Sequence, residues 1–255
     1  MDTGKLLTPG IDGPMPTGKG CLTFKASVLD FRSDHPDFQK QNIGQTVKGM
    51  VETFLGADGN PVYVPGAGGV VKDAASFTQW WKSVPNVNSP ADITLTARET
   101  ALGVSIAAPA VKVGTDDKYL FYPVDGKGFG NVDIVAPDTY ASTKTVEADD
   151  KAHNNLFTVK IEAQFYYQGG KKELISILSD DDSWVFLNGK LAPNADLGGL
   201  HSTQEPGTVV LDSLAASHGL KPGKIYPITF FYADRFFGEA QYRLEANNIL
   251  FVCKP

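Results

Sequence analysis

Basic charge is in short supply in this chain: 23 Lys and Arg face 29 Asp and Glu over 255 residues, a formal net charge of −6. A nucleic-acid binder meets phosphates with a basic stripe, so that class is excluded. Long apolar runs are missing as well. None approaches the roughly 18–20 residues that cross a bilayer as a helix, and no membrane insertion is expected. Cysteine occurs twice and histidine four times (His35, His153, His201, His218), without the spacing of a zinc site. No G-x-S-x-G elbow, P-loop or dinucleotide fingerprint is present. What remains, 42% hydrophobic with 26 Gly and 16 Pro, is ordinary globular composition, which rules out wholesale disorder and collagen. At about 150 residues per domain the length allows one large domain or two small ones.

The dominant pattern is period two. Phe157, Val159, Ile161, Ala163 and Phe165 alternate with Thr158, Lys160, Glu162 and Gln164, which marks a half-buried antiparallel strand. Leu22 to Val28 and Tyr242 to Ala246 alternate in the same way. The runs 174–178, 184–187, 228–232 and 249–252 are mostly continuous apolar stretches, as central strands are. Gly169-Gly170 and Asn188-Gly189 are hairpin turns. Helical signals are few. Val47, Met50, Val51, Phe54 and Leu55 share one helical face interrupted by Gly49, Asp73 caps a segment carrying Phe77, Trp80 and Trp81, and 213–218 forms one short turn before Gly219. The reading is all-β: one antiparallel β-sandwich domain over 21–255, with about 40–150 as a decorating insertion.

Residues 1–20 hold five Gly and three Pro and lack the basic-then-apolar order of a signal peptide; they read as a flexible leader. Cys21 and Cys253 flank the whole domain. Either they are two separate buried thiols or they bridge across one sheet edge, closing a loop of about 230 residues worth roughly 5 kcal/mol. Flanking a whole domain favours the bridge, and with it an oxidising compartment.

The chemistry concentrates in Asp180, Asp181 and Asp182, three adjacent carboxylates between apolar strands. A solvated acidic turn is the plain alternative. Against it stand the strand-end position and two further acidic loops, around Asp196 to His201 and Asp234 to Gly238. Hard oxygens from several loops suit Ca²⁺. Adjacent side chains of an extended strand point to opposite faces, so Asp180 and Asp181 grip one ion only across an abnormal backbone, such as a cis peptide. Elsewhere, Asp34 to Asp37 fits an ordered turn, and Trp80 and Trp81 fit the core. Asp125 and Asn131, flanking a Gly-rich stretch, fit a structural turn or a second ion.

At this point the sequence resembles the fibro-slime domain. The stretches LDFRSDHPDF (29–38), FLGADGNPVY (54–63), FTQWWKSVPNVN (77–88), FYPVDGKGFGN (121–131), HNNLFTVKIEAQFYYQGG (153–170), SDDDSWVFLNGKL (179–191), DLGGLH (196–201) and YPITFFYADR (226–235) occur in that family's order, over about residues 21 to 253. The domain is a branch of the protective-antigen-type, jelly-roll-like β-sandwiches that include flocculin and adhesin lectins. The resemblance implies a secreted or surface-displayed module. In the lectins an Asp-Asp pair holds Ca²⁺, and the ion binds vicinal sugar hydroxyls; that pair matches Asp180 and Asp181, placed by the Asn188-Gly189 turn. Asp182, Asp196 and His201 belong to the branch, and a later loop matches Asp234 to Gly238, with Arg235, Phe236 and Phe237 inside it. Phe236, Phe237 and Trp184 are candidates for contact with a sugar face.

The expectation is therefore a non-enzymatic Ca²⁺-dependent carbohydrate-binding or adhesion module, with Asp180 and Asp181 as central ligands and Asp182, Asp196 and Asp234 as helpers. Asn188, His201, Arg235, Phe236 and Phe237 stand as ligand contacts. The partner is a glycan, or else a surface or matrix protein with Ca²⁺ ordering the loops. Glycoside hydrolysis is a further alternative, opposed by the need to keep one carboxyl protonated.

Overall fold

The computed structural model describes residues 7–39, 44, 46–106, 111–113, 116–131, 153–201, 204–236 and 240–253. Strands run in chain order as β1 (Ile11–Asp12), β2 (Thr23–Phe31), β3 (Asn88–Thr96), β4 (Arg98–Glu99), β5 (Gly103–Ile106), β6 (Val111–Val113), β7 (Asp116–Lys118) and β8 (Phe157–Tyr167). They continue as β9 (Leu174–Ser179), β10 (Asp182–Leu187), β11 (Lys190–Leu197), β12 (Glu205–Val210), β13 (Lys224–Asp234), β14 (Tyr242–Asn247) and β15 (Leu250–Val252). Two short helices, α1 (Ala74–Thr78) and α2 (Leu211–Leu214), lie between strands. No helix among the described residues is long and apolar enough to cross a membrane.

The strands form a β-sandwich. One sheet is eight-stranded, ordered β11-β10-β13-β8-β2-β3, with β1 beside β13 and β15 beside β8. The other is five-stranded, ordered β12-β9-β14-β5-β4. The pairings within both are antiparallel. Alternating side chains explain the interior: Val159, Ile161, Phe165, Val185, Phe230 and Tyr232 face Ile175, Ile177, Leu244 and Ala246 across the sandwich.

The continuous apolar runs arise because part of the larger sheet is covered on both faces. On β10 and β13, Trp184, Phe186, Phe231 and Ala233 turn outward into a second core with Phe31, Phe38, Met50, Phe77, Trp80 and Trp81. Residues 46–87, with Phe38, therefore form a third layer. The expected insertion is narrower than 40–150, because β3 pairs with β2 and β5 with β14, both inside the sandwich.

Local expectations divide by how far away their partners lie. Asp73 caps α1 with a reciprocal capping box to Ser76. The helix expected over 47–55 is absent. Gly49 sits at φ +74, and Val47, Val51 and Phe54 make isolated bridges to Gly198, Tyr63 and Lys190. Of the leader expected to be flexible, residues 7–20 form a strap: β1 extends the sheet beside β13, where β10 has ended, and Gly20 bridges Phe251. Cys21 and Cys253 form a disulfide, with Cα atoms 4.9 Å apart.

Candidate functional site

Ser179 ends β9 in the smaller sheet and Asp182 opens β10 in the larger one. Asp180 and Asp181 are the entire crossing between the two layers. The backbone bends at both residues as it passes from one layer to the other at the rim. β13 leaves the larger sheet at Asp234 and β14 enters the smaller one at Tyr242, with Arg235 and Gln241 flanking this second crossing. Register places the two crossings side by side, since Asp182 pairs with Ala233.

The first crossing staples the second. Asp180 Oδ2 accepts the Gln241 backbone N–H (3.0 Å), and Asp180 N–H donates to the Gln241 carbonyl (3.3 Å). Asp181 Oδ2 accepts the Arg235 backbone N–H at 2.8 Å, so both ends of the loop are fastened. Asp180 Oδ1 takes a hydrogen bond from the Tyr232 hydroxyl (3.0 Å), whose ring stacks on Tyr242. Asp180 and Asp181 are 8% and 5% exposed. Burial lifts the Asp180 carboxyl to about 7. Burial, and then the charge of Asp180, push Asp181 well above the usual carboxylate range. The Tyr232 hydroxyl is raised by burial and by the fields of Asp180, Asp234 and Asp181.

Asp182 has a different task. Its Oδ1 accepts the Gly199 N–H (2.6 Å) and its Oδ2 pairs with Arg235 Nε (2.7 Å), in a fully buried ion pair. The guanidinium goes on to the carbonyls of Asp37, Gly69 and Val70 and lies over the Trp80 ring. Asp196 accepts Gly49 N–H and the Trp184 indole N–H, one on each oxygen, and burial raises its carboxyl. The structure thus corrects the expectation that Asp182 and Asp196 help to ligate: both turn to the second core, Asp182 to Arg235 over Trp80 and Asp196 to the Trp184 indole, whereas Asp180 bonds Tyr232 on the sandwich side.

Two ligand contacts are corrected outright. Asn188 lies past the far end of β10, about 20 Å along the strand from the crossing, and its amide joins Thr8 to the His218 carbonyl. The Arg235 side chain faces the second core rather than any ligand. Trp184 is wholly buried. His201 does belong to the rim, its backbone N–H donating to the Asp180 carbonyl (3.2 Å). Asp234 ends β13 at the same level, 2% exposed, with Phe236 half-buried beyond it. Phe237 and Gly238 lie outside the described residues. Gln241 and Gly199 had no signal of their own in the sequence; Tyr232, a polar tip in an apolar run, offered only a hint. Asn131 closes the 125–131 turn onto Gly126 N–H, and Asp125 holds the Asn154 N–H and the His153 ring. Among the described residues, no three His, Cys, Asp or Glu side chains are arranged to hold a metal ion.

Comparison with known proteins gives relatives along nearly the whole chain. Protein psiR of Dictyostelium discoideum is 33% identical over 236 residues, 91% of this chain and 22% of psiR. Protein psiD of the same organism is 33% identical over 240 residues, 91% of this chain and 42% of psiD. The chain is similar to the psi proteins. It spans less than half the length of either of these relatives. No protein-family model matches it. Among solved structures, the PA14 sugar-binding domain from an RTX adhesin aligns over 91% of this chain and 96% of its own, at 12% identity and a TM-score of 0.37. At that score the likeness adds nothing to the fold read from strand pairing.

Proposed function

We propose that this chain is an extracellular, non-enzymatic, Ca²⁺-dependent carbohydrate-binding or adhesion module. The observation that carries the reading is the Asp180–Asp181 crossing: two adjacent carboxylates, both buried, both fixed by hydrogen bonds, and both raised by burial. A divalent cation is the guest that turns that electrostatic cost into binding. The donor set is hard oxygen, which fits Ca²⁺ and not a metal that prefers nitrogen or sulfur. Asp180 and Asp181 would hold the ion, with Asp234 the next carboxylate at the same level. A bound Ca²⁺ there would supply open coordination positions to a diol. The remaining side chains orient the site: Tyr232 and Gln241 aim Asp180, and Arg235 holds Asp181 through its backbone. The Cys21–Cys253 bridge supports an oxidising, extracellular setting.

A second reading has its own observation. Because the aspartates hold Arg235 and Gln241, an ion there would brace the ends of β13 and β14 for a protein partner. Hydrolysis is less well served. The raised Asp180 carboxyl suits a general acid, but both members of the pair bind loop amides, and glycoside cleavage needs two carboxylates standing on either side of the bond.

The test is a glycan array and a thermal melt, each run in Ca²⁺ and in chelator. Chelator-sensitive glycan binding, with a melting temperature that Ca²⁺ raises in wild type and leaves unmoved in Asp181→Ala, is the expected result. A melting temperature indifferent to Ca²⁺ would remove the metal. A Ca²⁺ response with no glycan bound would favour the protein partner.

A further inference from the structure

The turn that follows β2 is held by a histidine whose protonation state the geometry fixes. His35 is 4% exposed, and its ring packs edge-on against Phe31 and Phe38. Its Nδ1 accepts the Asp37 backbone N–H (3.2 Å), and a backbone amide can only donate. Nδ1 is therefore bare, and Nε2 carries the proton that goes to Gln79 Oε1 (3.0 Å), at the C-cap of α1. The ring is a neutral imidazole with both nitrogens used. A second proton, on Nδ1, would set two donors face to face in a buried site. Charged groups reach the ring from two directions: Asp34 and Asp37 on its own turn, and Arg235 just past β13. Burial lowers the ring below its ordinary value and Arg235 adds to that, against the opposing pull of Asp37, the Gln79 bond and Asp34. What the ring positions is a seat for the third layer. Asp37 Oδ1 accepts the Lys72 N–H (2.7 Å), its Oδ2 the Trp80 indole N–H (2.9 Å) and its carbonyl Arg235 Nη1 (2.9 Å). Lys72 and Trp80 bracket α1, and Trp80 is wholly buried in the second core.

We infer that His35 is an acid-operated latch on the third layer: the neutral ring locks the 34–38 turn to α1, and a proton on Nδ1 releases both. The inference stands apart from the Ca²⁺ reading and needs no ion at the crossing. Its direction follows from the proton balance. The closed state takes up this proton less readily than the open one, where the ring is solvated and titrates near its ordinary value of about 6.5. Closure is therefore full above about pH 6.5 and is lost as pH falls towards the lower value of the closed ring, by up to about tenfold in the opening constant for each pH unit.

The experiment follows amide hydrogen exchange of the whole chain by mass spectrometry, in chelator, between about pH 7 and about pH 5. Peptides over 33–39 and 70–82 are compared with peptides over β8, in wild type and in His35→Asn. The asparagine amide oxygen replaces Nδ1 as acceptor and does not titrate. With the intrinsic pH dependence of exchange divided out, wild-type protection of the third-layer peptides relative to β8 should fall about fivefold or more over that range. His35→Asn should keep its ratio. Titrations common to both proteins, those of Asp180 and His218 included, cancel in the comparison. A smaller fall in wild type, or an equal one in His35→Asn, overturns the inference. Should His35→Asn not fold, nuclear magnetic resonance of the wild-type ring decides. A neutral, Nε2-protonated ring that persists below about pH 6.5 supports the latch, and a titration midpoint at or above that value overturns it.

Discussion

Asp180 ionises against the grain of its surroundings, and the direction of that penalty can be measured. Its carboxyl moves from 3.8 to about 7 because burial disfavours the charged form, with Asp181 shifted the same way. Between those two values the native state holds more protons than the unfolded chain. The ion-free protein therefore loses stability as pH rises through that window, and Asp181 carries the loss on in the same direction. Ca²⁺ requires the ionised form, so its stabilisation is gone near pH 4 and grows as pH rises. Melting temperatures across this range, with Ca²⁺ and with chelator, should diverge upward from pH 4; parallel curves would refute the assignment. Asp196 makes the contrast. Asp196→Ala strips acceptors from the Gly49 N–H and the Trp184 indole and should cost about 2–3 kcal/mol in urea, equally with and without Ca²⁺. A loss confined to Ca²⁺ buffer would return Asp196 to the ligand set.

At the level of elements, the turn between β10 and β11 shows what separates a legible feature from a hidden one. Asn188 and Gly189 lie at φ 52 and 78, the left-handed pair that a tight hairpin demands, and the dipeptide alone announces it. Its amide also ties down Thr8 of the strap and the His218 carbonyl, partners 180 and 30 residues away. Asn188→Ala should cost about 2 kcal/mol, from left-handed strain plus the lost hydrogen bonds, and Asn188→Gly less. Ca²⁺ affinity should hold in both; if it falls with stability, the turn is coupled to the rim after all. The same division runs through the molecule. The alternation of β8 and the cap of α1 are local and were readable. The bridged turns of 47–55 and the strap over 7–20 were not, because their bridges lead to Gly198, Lys190 and Ile225. The aspartate triplet was legible as an oddity. The separate tasks of its members were hidden, since Arg235, Gly199, Tyr232 and Gln241 arrive from other strands and loops.

Across the whole molecule, β2 and β15, far apart in sequence, meet on one strand. β8 pairs with β2 at one end, through Ile161 to Phe157, and with β15 towards the other, at Gln164 to Tyr166. Cys21 precedes β2 and Cys253 follows β15, so the disulfide seals the junction across a separation of 232 residues. The rim carrying Asp180 and Asp181 lies at the opposite end of the sheet, where Asp30, Phe157 and Asp234 share one row. The bridge therefore acts on the unfolded chain and not on the site. Closing so long a loop is worth about 5 kcal/mol in the chain-entropy model. For a domain of this size that corresponds to about 10–20 °C in melting temperature. Cys21→Ser combined with Cys253→Ser should show a fall of that order while Ca²⁺ affinity at 20 °C stays at the wild-type value. An unchanged melting temperature would mean that strand pairing on β8 already holds β2 and β15 without help from the bridge. A loss of Ca²⁺ affinity would mean that strain at one end of β8 reaches the other, and that rim and junction are a single mechanical unit.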